Sequence, residues 1–178
     1  HPWARGMSKS EWFKGAKLAI ILGAIAGFTL IGFDLLLRPY LPDSLTRALQ
    51  PYSGIHFITA ILYGGVLEEI LIRFGLMSLI VFVFWKIFDR KSSKPSNWIY
   101  ITAILISAFL FALGHYGATA LTTEMTPLVW LRMIFVNGLG GIFFGWLYWK
   151  YNLELAMLSH MFAHITMSLL LLVLSVLM

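Results

Sequence analysis

The sequence predicts an all-α protein of the membrane, a polytopic transmembrane helical bundle of about five spans with one long or kinked helix. Three observations predict it. Of 178 residues, 60% are hydrophobic and only 12% charged, and the mean hydropathy of +0.83 does not describe a soluble surface. Five apolar stretches (Leu18 to Leu37, His56 to Phe88, Trp98 to Leu121, Val129 to Trp149, Leu153 to Val176) each exceed the length that crosses roughly 30 Å of hydrocarbon at about 1.5 Å per residue. The basic residues gather in short clusters beside those stretches, where they meet lipid headgroups. Despite the net charge of +5, this pattern speaks against nucleic acid as a partner.

The loops justify each element in turn. Residues His1 to Gly6 read as an expression remnant before a natural start at Met7, leaving 7–178 as a single transmembrane domain with a core at 56–176. Arg38-Pro39 ends the first stretch, and the polar run from Pro42-Asp43-Ser44 to Pro51 and Gly54 predicts an interfacial segment. The second stretch would be roughly 50 Å long if straight, so it must tilt, kink near Gly64-Gly65 or Gly75, or split in two. Arg90 to Pro95 and Thr122 to Pro127 form the remaining polar linkers.

Charge bias favours one long helix. With five spans and a cytoplasmic N-terminus, Arg5, Lys9, Lys14, Lys17, Lys86, Arg90, Lys91, Lys94 and Lys150 lie inside, while Arg38, Arg47 and Arg132 lie outside with the C-terminus. Gly23-xxx-Gly27 and Gly141-xxx-Gly145 are patterns that permit close helix contact. Trp98, Tyr100, Trp146 and Trp149 read as interfacial anchors, and Asp34 as a solvated helix end.

Zero cysteines exclude disulfides, thiolate metal sites and a cysteine nucleophile. Chemistry must therefore come from the ionisable groups that the apolar stretches carry: Glu68, Glu69, Arg73, His115, His160 and His164. Glu69 and Arg73 lie four apart in the favourable order for an ion pair. Glu68 points about 100° away. Left without that partner in a low-dielectric site, it is a candidate general base, although the same cluster could simply tie helices together. His160 and His164 share one helical face, and no Glu follows His160, so the zinc-protease HExxH pattern is absent. Asn137 is a further polar group, expected in a helix-to-helix hydrogen bond.

Glu68-Glu69-Ile-Leu-Ile-Arg73 resembles an EExxxR motif, Phe111-Ala-Leu-Gly-His115 an FxxxH motif, and His160-Met-Phe-Ala-His164 an HxxxN or HxxxB motif. In this order they resemble the CPBP family of CAAX-protease and bacteriocin-processing (Abi) intramembrane peptidases, over about residues 60 to 170. The resemblance implies that Glu68 and His115 activate a water, that His160 and the residue at 164 stabilise the oxyanion, and that Glu69 and Arg73, with Asn137 nearby, support them. His164 stands where well-known members carry Asn. The family's mechanism is argued both as metal-free and as metal-assisted. A divalent metal such as Zn²⁺ would here be held by Glu68, His115 and His160. The implied partners are the lipid bilayer and a peptide or protein substrate cleaved close to the membrane; a homodimer is left open. Two other readings are a non-enzymatic immunity or regulatory scaffold of the same fold, and a small transporter or haem bundle using His115 and His164.

Overall fold

The computed structural model describes residues 8–48 and 53–177, and among them every regular element is helical. Five helices are long and apolar enough to cross a membrane: Lys9–Tyr40, Gly54–Phe88, Asn97–Ala120, Pro127–Lys150 and Leu153–Leu177. The protein is a multi-pass integral membrane protein. The remnant expected at His1–Gly6, with its Arg5, and the turn at Pro51 lie outside the described residues, as does the side chain of Arg47.

The first span starts well before its apolar run. Ser8 accepts from the Glu11 backbone and Glu11 returns a bond to the Ser8 backbone, a capping box that starts the helix at Lys9. Its end at Leu37 follows the Arg38-Pro39 signal and turns through a short 3₁₀ segment, Arg38–Tyr40. The interfacial segment contains a short helix, Asp43–Ala48, and Leu41 and Leu45 bury against Val129.

The second span is unbroken, as the charge bias favours, and its middle winds wider than an α-helix. Ala60–Glu68 and Ile70–Met77 wind as π-helix; the Ser78 backbone amide and hydroxyl both bond the Arg73 carbonyl five residues back. Such windings are uncommon and concentrate at functional sites. Glu68 and Glu69 stand where the two segments meet.

Glycines set the helix spacing. A β-carbon at Gly27 would lie 2.7 Å from Thr166 Cβ, and one at Gly23 would strike the Ser159 carbonyl, so the first span lies directly on the fifth. One at Gly141 would lie 2.8 Å from Ala108 Cβ and one at Gly145 3.3 Å from Ile104, which holds the fourth span on the third. The small-xxx-small patterns are close contacts.

Two boundary readings need correction. Asp34 is no solvated end: it is 2% exposed and accepts two bonds of 2.6 Å from Arg132 of the fourth span. Tyr100 is buried and stacks on Trp149 at 5.1 Å, so these two rings pack spans together, while Trp98 and Trp146 remain exposed. An apolar aromatic face serves either role, and position near a helix end does not choose between them.

Candidate active site

All five spans contribute to one cavity of about 190 Å³, and it collects Glu68, His115, Asn137, His160 and His164. Glu69 and Arg73, fully buried, do not line it. They stand behind His160.

The second and fifth spans meet at paired glycines. A β-carbon on Gly64 would sit 2.5 Å from Nε2 of His164, and one on Gly65 2.5 Å from Cγ of Met161. One turn along, this close approach brings His160 onto Glu69, where Nδ1–H donates to Oε1 at 2.9 Å. The other oxygen of Glu69 faces Nε of Arg73 at 3.2 Å, an ion pair without hydrogen-bond alignment. Arg73 donates from Nη2 to the Gly141 carbonyl at 3.1 Å and lies over the rings of Phe111 and Phe144 at 5.1 and 5.7 Å. Aromatic faces thus supply part of the counter-charge that burial removes. The i, i+4 pairing expected of Glu69 and Arg73 is present. The hold of Glu69 on His160 goes beyond the helical spacing, yet it has a signal in the sequence: a buried carboxylate has two oxygens, and one arginine nitrogen leaves the other oxygen to find a donor.

His115 sits where the third long helix ends at Gly114, before a short helix, Tyr116–Ala120. Its Nδ1–H donates to the Phe111 carbonyl at 2.9 Å, the phenyl ring of Phe111 meets its edge at 4.7 Å, and Thr119 returns a hydroxyl to its carbonyl. Gly114, next to it, faces open space: a β-carbon there would meet nothing within 4 Å. His160 is clamped between Phe144 at 4.4 Å and His164 at 4.9 Å, both near parallel. With Nδ1 of each ring committed as donor, Nε2 of His115 and of His160 is the basic nitrogen.

Glu68 is the contrast. Half-buried in the cavity wall, it has no hydrogen-bond partner among the described residues, and its electrostatic neighbours are His160, His115, Glu69 and Arg73. His164 has a buried Nδ1 that is likewise without a partner. Asn137 makes no bond between helices among the described residues: its amide donates at 2.9 Å to Met133 of its own helix, and it presents itself to the cavity instead. A free carboxylate beside basic imidazole nitrogens, in a chamber that polar donors share, can hold a water, take its proton and pass that proton on.

The type II CAAX prenyl endopeptidase Rce1-like family matches residues 50–166, well over half of the chain. The chain belongs to this family. No curated protein and no solved structure matches significantly. The Rce1-like match takes in the second to fourth spans and the first half of the fifth, with Glu68, Glu69, Arg73, His115, Asn137, His160 and His164 all inside it. The family is one of peptidases. As the Rce1-like chain is arranged, no three His, Asp or Glu side chains among the described residues converge to hold a metal ion, and the set Glu68, His115 and His160 does not fit one.

Proposed function

We propose that this protein is an intramembrane endopeptidase that hydrolyses a peptide bond close to the membrane with a water activated by Glu68 and His115. The observation that carries the reading is the free carboxylate of Glu68 facing imidazoles whose Nδ1 atoms are already committed. Glu68 accepts the water proton as the oxygen attacks the carbonyl carbon, and the same proton then goes to the leaving amine. His164, stacked on His160, supplies a donor to the developing oxyanion, and His160 adds a second from Nε2 when that nitrogen carries a proton. His164 keeps this role in place of an amide, because an imidazole nitrogen also donates. Glu69 and Arg73 fix the ring of His160, and Asn137 lines the approach.

Residues 7–178 act as one peptidase domain, with the N-terminus cytoplasmic and the C-terminus external, because nine basic residues would then lie inside and three outside. The substrate is a peptide or protein with a cleavage site near the bilayer. The test is cleavage of a labelled peptide library by protein reconstituted in liposomes, with Glu68→Gln and a chelator as separate arms. Product from the wild type and none from Glu68→Gln supports the reading; equal product from both sinks it, and loss with chelator adds a metal to the mechanism.

A further inference from the structure

Glu68 and His115 do not lie at the blind end of one chamber. With Tyr63 and Phe111 they form a wall shared by two spaces, the chamber among the five spans and a cleft of about 240 Å³ between the second and third spans. The cleft is completed by Leu71, Ile72, Leu110, Gly114 and Ala118. Leu71 and Leu110 are 55% and 42% exposed, so it opens outward between two membrane helices. Apart from Glu68 and His115 it carries no ionisable side chain other than the Tyr63 phenol.

A peptide whose carbonyl carbon stands beside Glu68 and His115 must leave that wall in two directions. The residues flanking the scissile bond then fall one into each space. A single water needs about 10–15 Å³, so the cleft has room for a whole side chain, and its walls favour an apolar one. Gly114 bounds it. Packing does not demand glycine there, since a β-carbon meets nothing within 4 Å, and the backbone does not demand it either, since no glycine among the described residues has positive φ. What the missing side chain leaves is depth.

We propose that the cleft between the second and third spans is a specificity subsite for the apolar side chain of a residue adjoining the scissile bond, with Gly114 setting its depth. The inference rests on the peptidase reading. Its test starts from one peptide that the wild type cleaves, remade with Ala, Leu or Phe at each flanking position in turn. Each is assayed in liposomes with wild type, Gly114→Leu and Ala118→Leu. Gly138→Leu is the control, because Gly138 is equally unobstructed and lines neither space.

At one flanking position, Gly114→Leu and Ala118→Leu should lower kcat/KM for the Leu and Phe peptides by about tenfold or more relative to the Ala peptide. Gly138→Leu should leave the ratio at wild type. Should Gly114→Leu fail to fold, Ala118→Leu and Gly114→Ala carry the same comparison. An unchanged Leu-to-Ala ratio in folded, active variants overturns the subsite and leaves the peptidase reading standing. A wild type that cleaves no peptide removes the peptidase reading first, before any variant is compared, and the subsite with it.

Discussion

Oε1 of Glu69 accepts a hydrogen bond from Nδ1 of His160 at 2.9 Å, across 91 positions of sequence, while Oε2 of the same carboxylate faces Arg73 at 3.2 Å. One buried carboxylate thus does two jobs. It neutralises a guanidinium inside the membrane and fixes the ring orientation of an imidazole in the cavity. A carboxylate behind a histidine holds its tautomer and leaves the other nitrogen basic.

Replacement of Glu69 should therefore separate the two jobs. Glu69→Gln keeps an oxygen that accepts from His160 but strips Arg73 of its counter-charge, whereas Glu69→Ala removes both. We expect turnover to fall about 10- to 100-fold in Glu69→Gln, with a larger loss in Glu69→Ala. Arg73→Ala leaves Glu69 buried without its cation and should lower stability by about 3 to 5 kcal/mol. Thermal unfolding in detergent beside single-turnover rates reads both. An Arg73→Ala variant with wild-type yield and melting temperature means the pair is not what holds the second span in place.

The Asp34–Arg132 pair predicts a second, independent effect. Its two bonds of 2.6 Å tie the first span to the fourth, and Leu30 and Val136, each one turn along from the pair, line the cavity. Arg132→Ala strands a buried carboxylate. Because Arg132 is 15% exposed, the cost should be about 3 kcal/mol, toward the low end for broken buried pairs. Arg132→Lys should recover only part of it, since an ammonium does not reproduce the two-pronged contact. Equal melting temperatures for Arg132→Ala and wild type would mean water already reaches Asp34.

Outside the membrane, Asp89 organises the loop between the second and third spans. Its carboxylate accepts from the Ser92 hydroxyl at 2.5 Å, from the Ser96 backbone at 2.9 Å and from the Ser96 hydroxyl. The Ser92 hydroxyl first, then that of Ser96, holds the carboxyl below its ordinary 3.8. A depressed folded value means the stabilisation is complete above the unfolded value and is lost as pH falls through the folded one. Hydrogen exchange at the Ser96 amide should therefore speed up, beyond its intrinsic pH trend, only below about pH 4, and in Asp89→Asn this acid step should vanish. An acid step that survives in Asp89→Asn assigns it to another group.

How much of this could be read from the chain depends on the range of each interaction. The Glu69–Arg73 pair was legible because helical spacing alone brings positions four apart together. The five spans were legible from hydropathy, and the unbroken second span from the basic cluster at Lys86 to Lys94. Bonds between spans were not. Asp34 looks like any charge near a helix end, and only its partner 98 positions away shows it to be buried. The π-winding was hidden too, since no proline marks it. A polar group in lipid needs a partner, which predicts a tie between helices for Asn137, but it finds one on its own helix at Met133.

The last expectation concerns Glu68. Its carboxylate lies free in the cavity wall while Glu69, next to it in sequence, is taken up by Arg73 and His160. Glu68→Gln preserves shape and hydrogen bonding but cannot take a proton. Turnover should drop by about 10²- to 10⁴-fold or more with substrate binding intact, a larger loss than in Glu69→Gln. His115→Ala should look similar, because both groups act on one water. Groups that work as a unit are not additive, so the double variant should cost little more than either single change. Independent roles predict instead that the two losses multiply. Single-turnover cleavage by the four proteins, with peptide affinity measured separately, distinguishes these outcomes. Multiplying losses would place Glu68 and His115 on different steps, and full activity in Glu68→Gln would move the base elsewhere in the cavity.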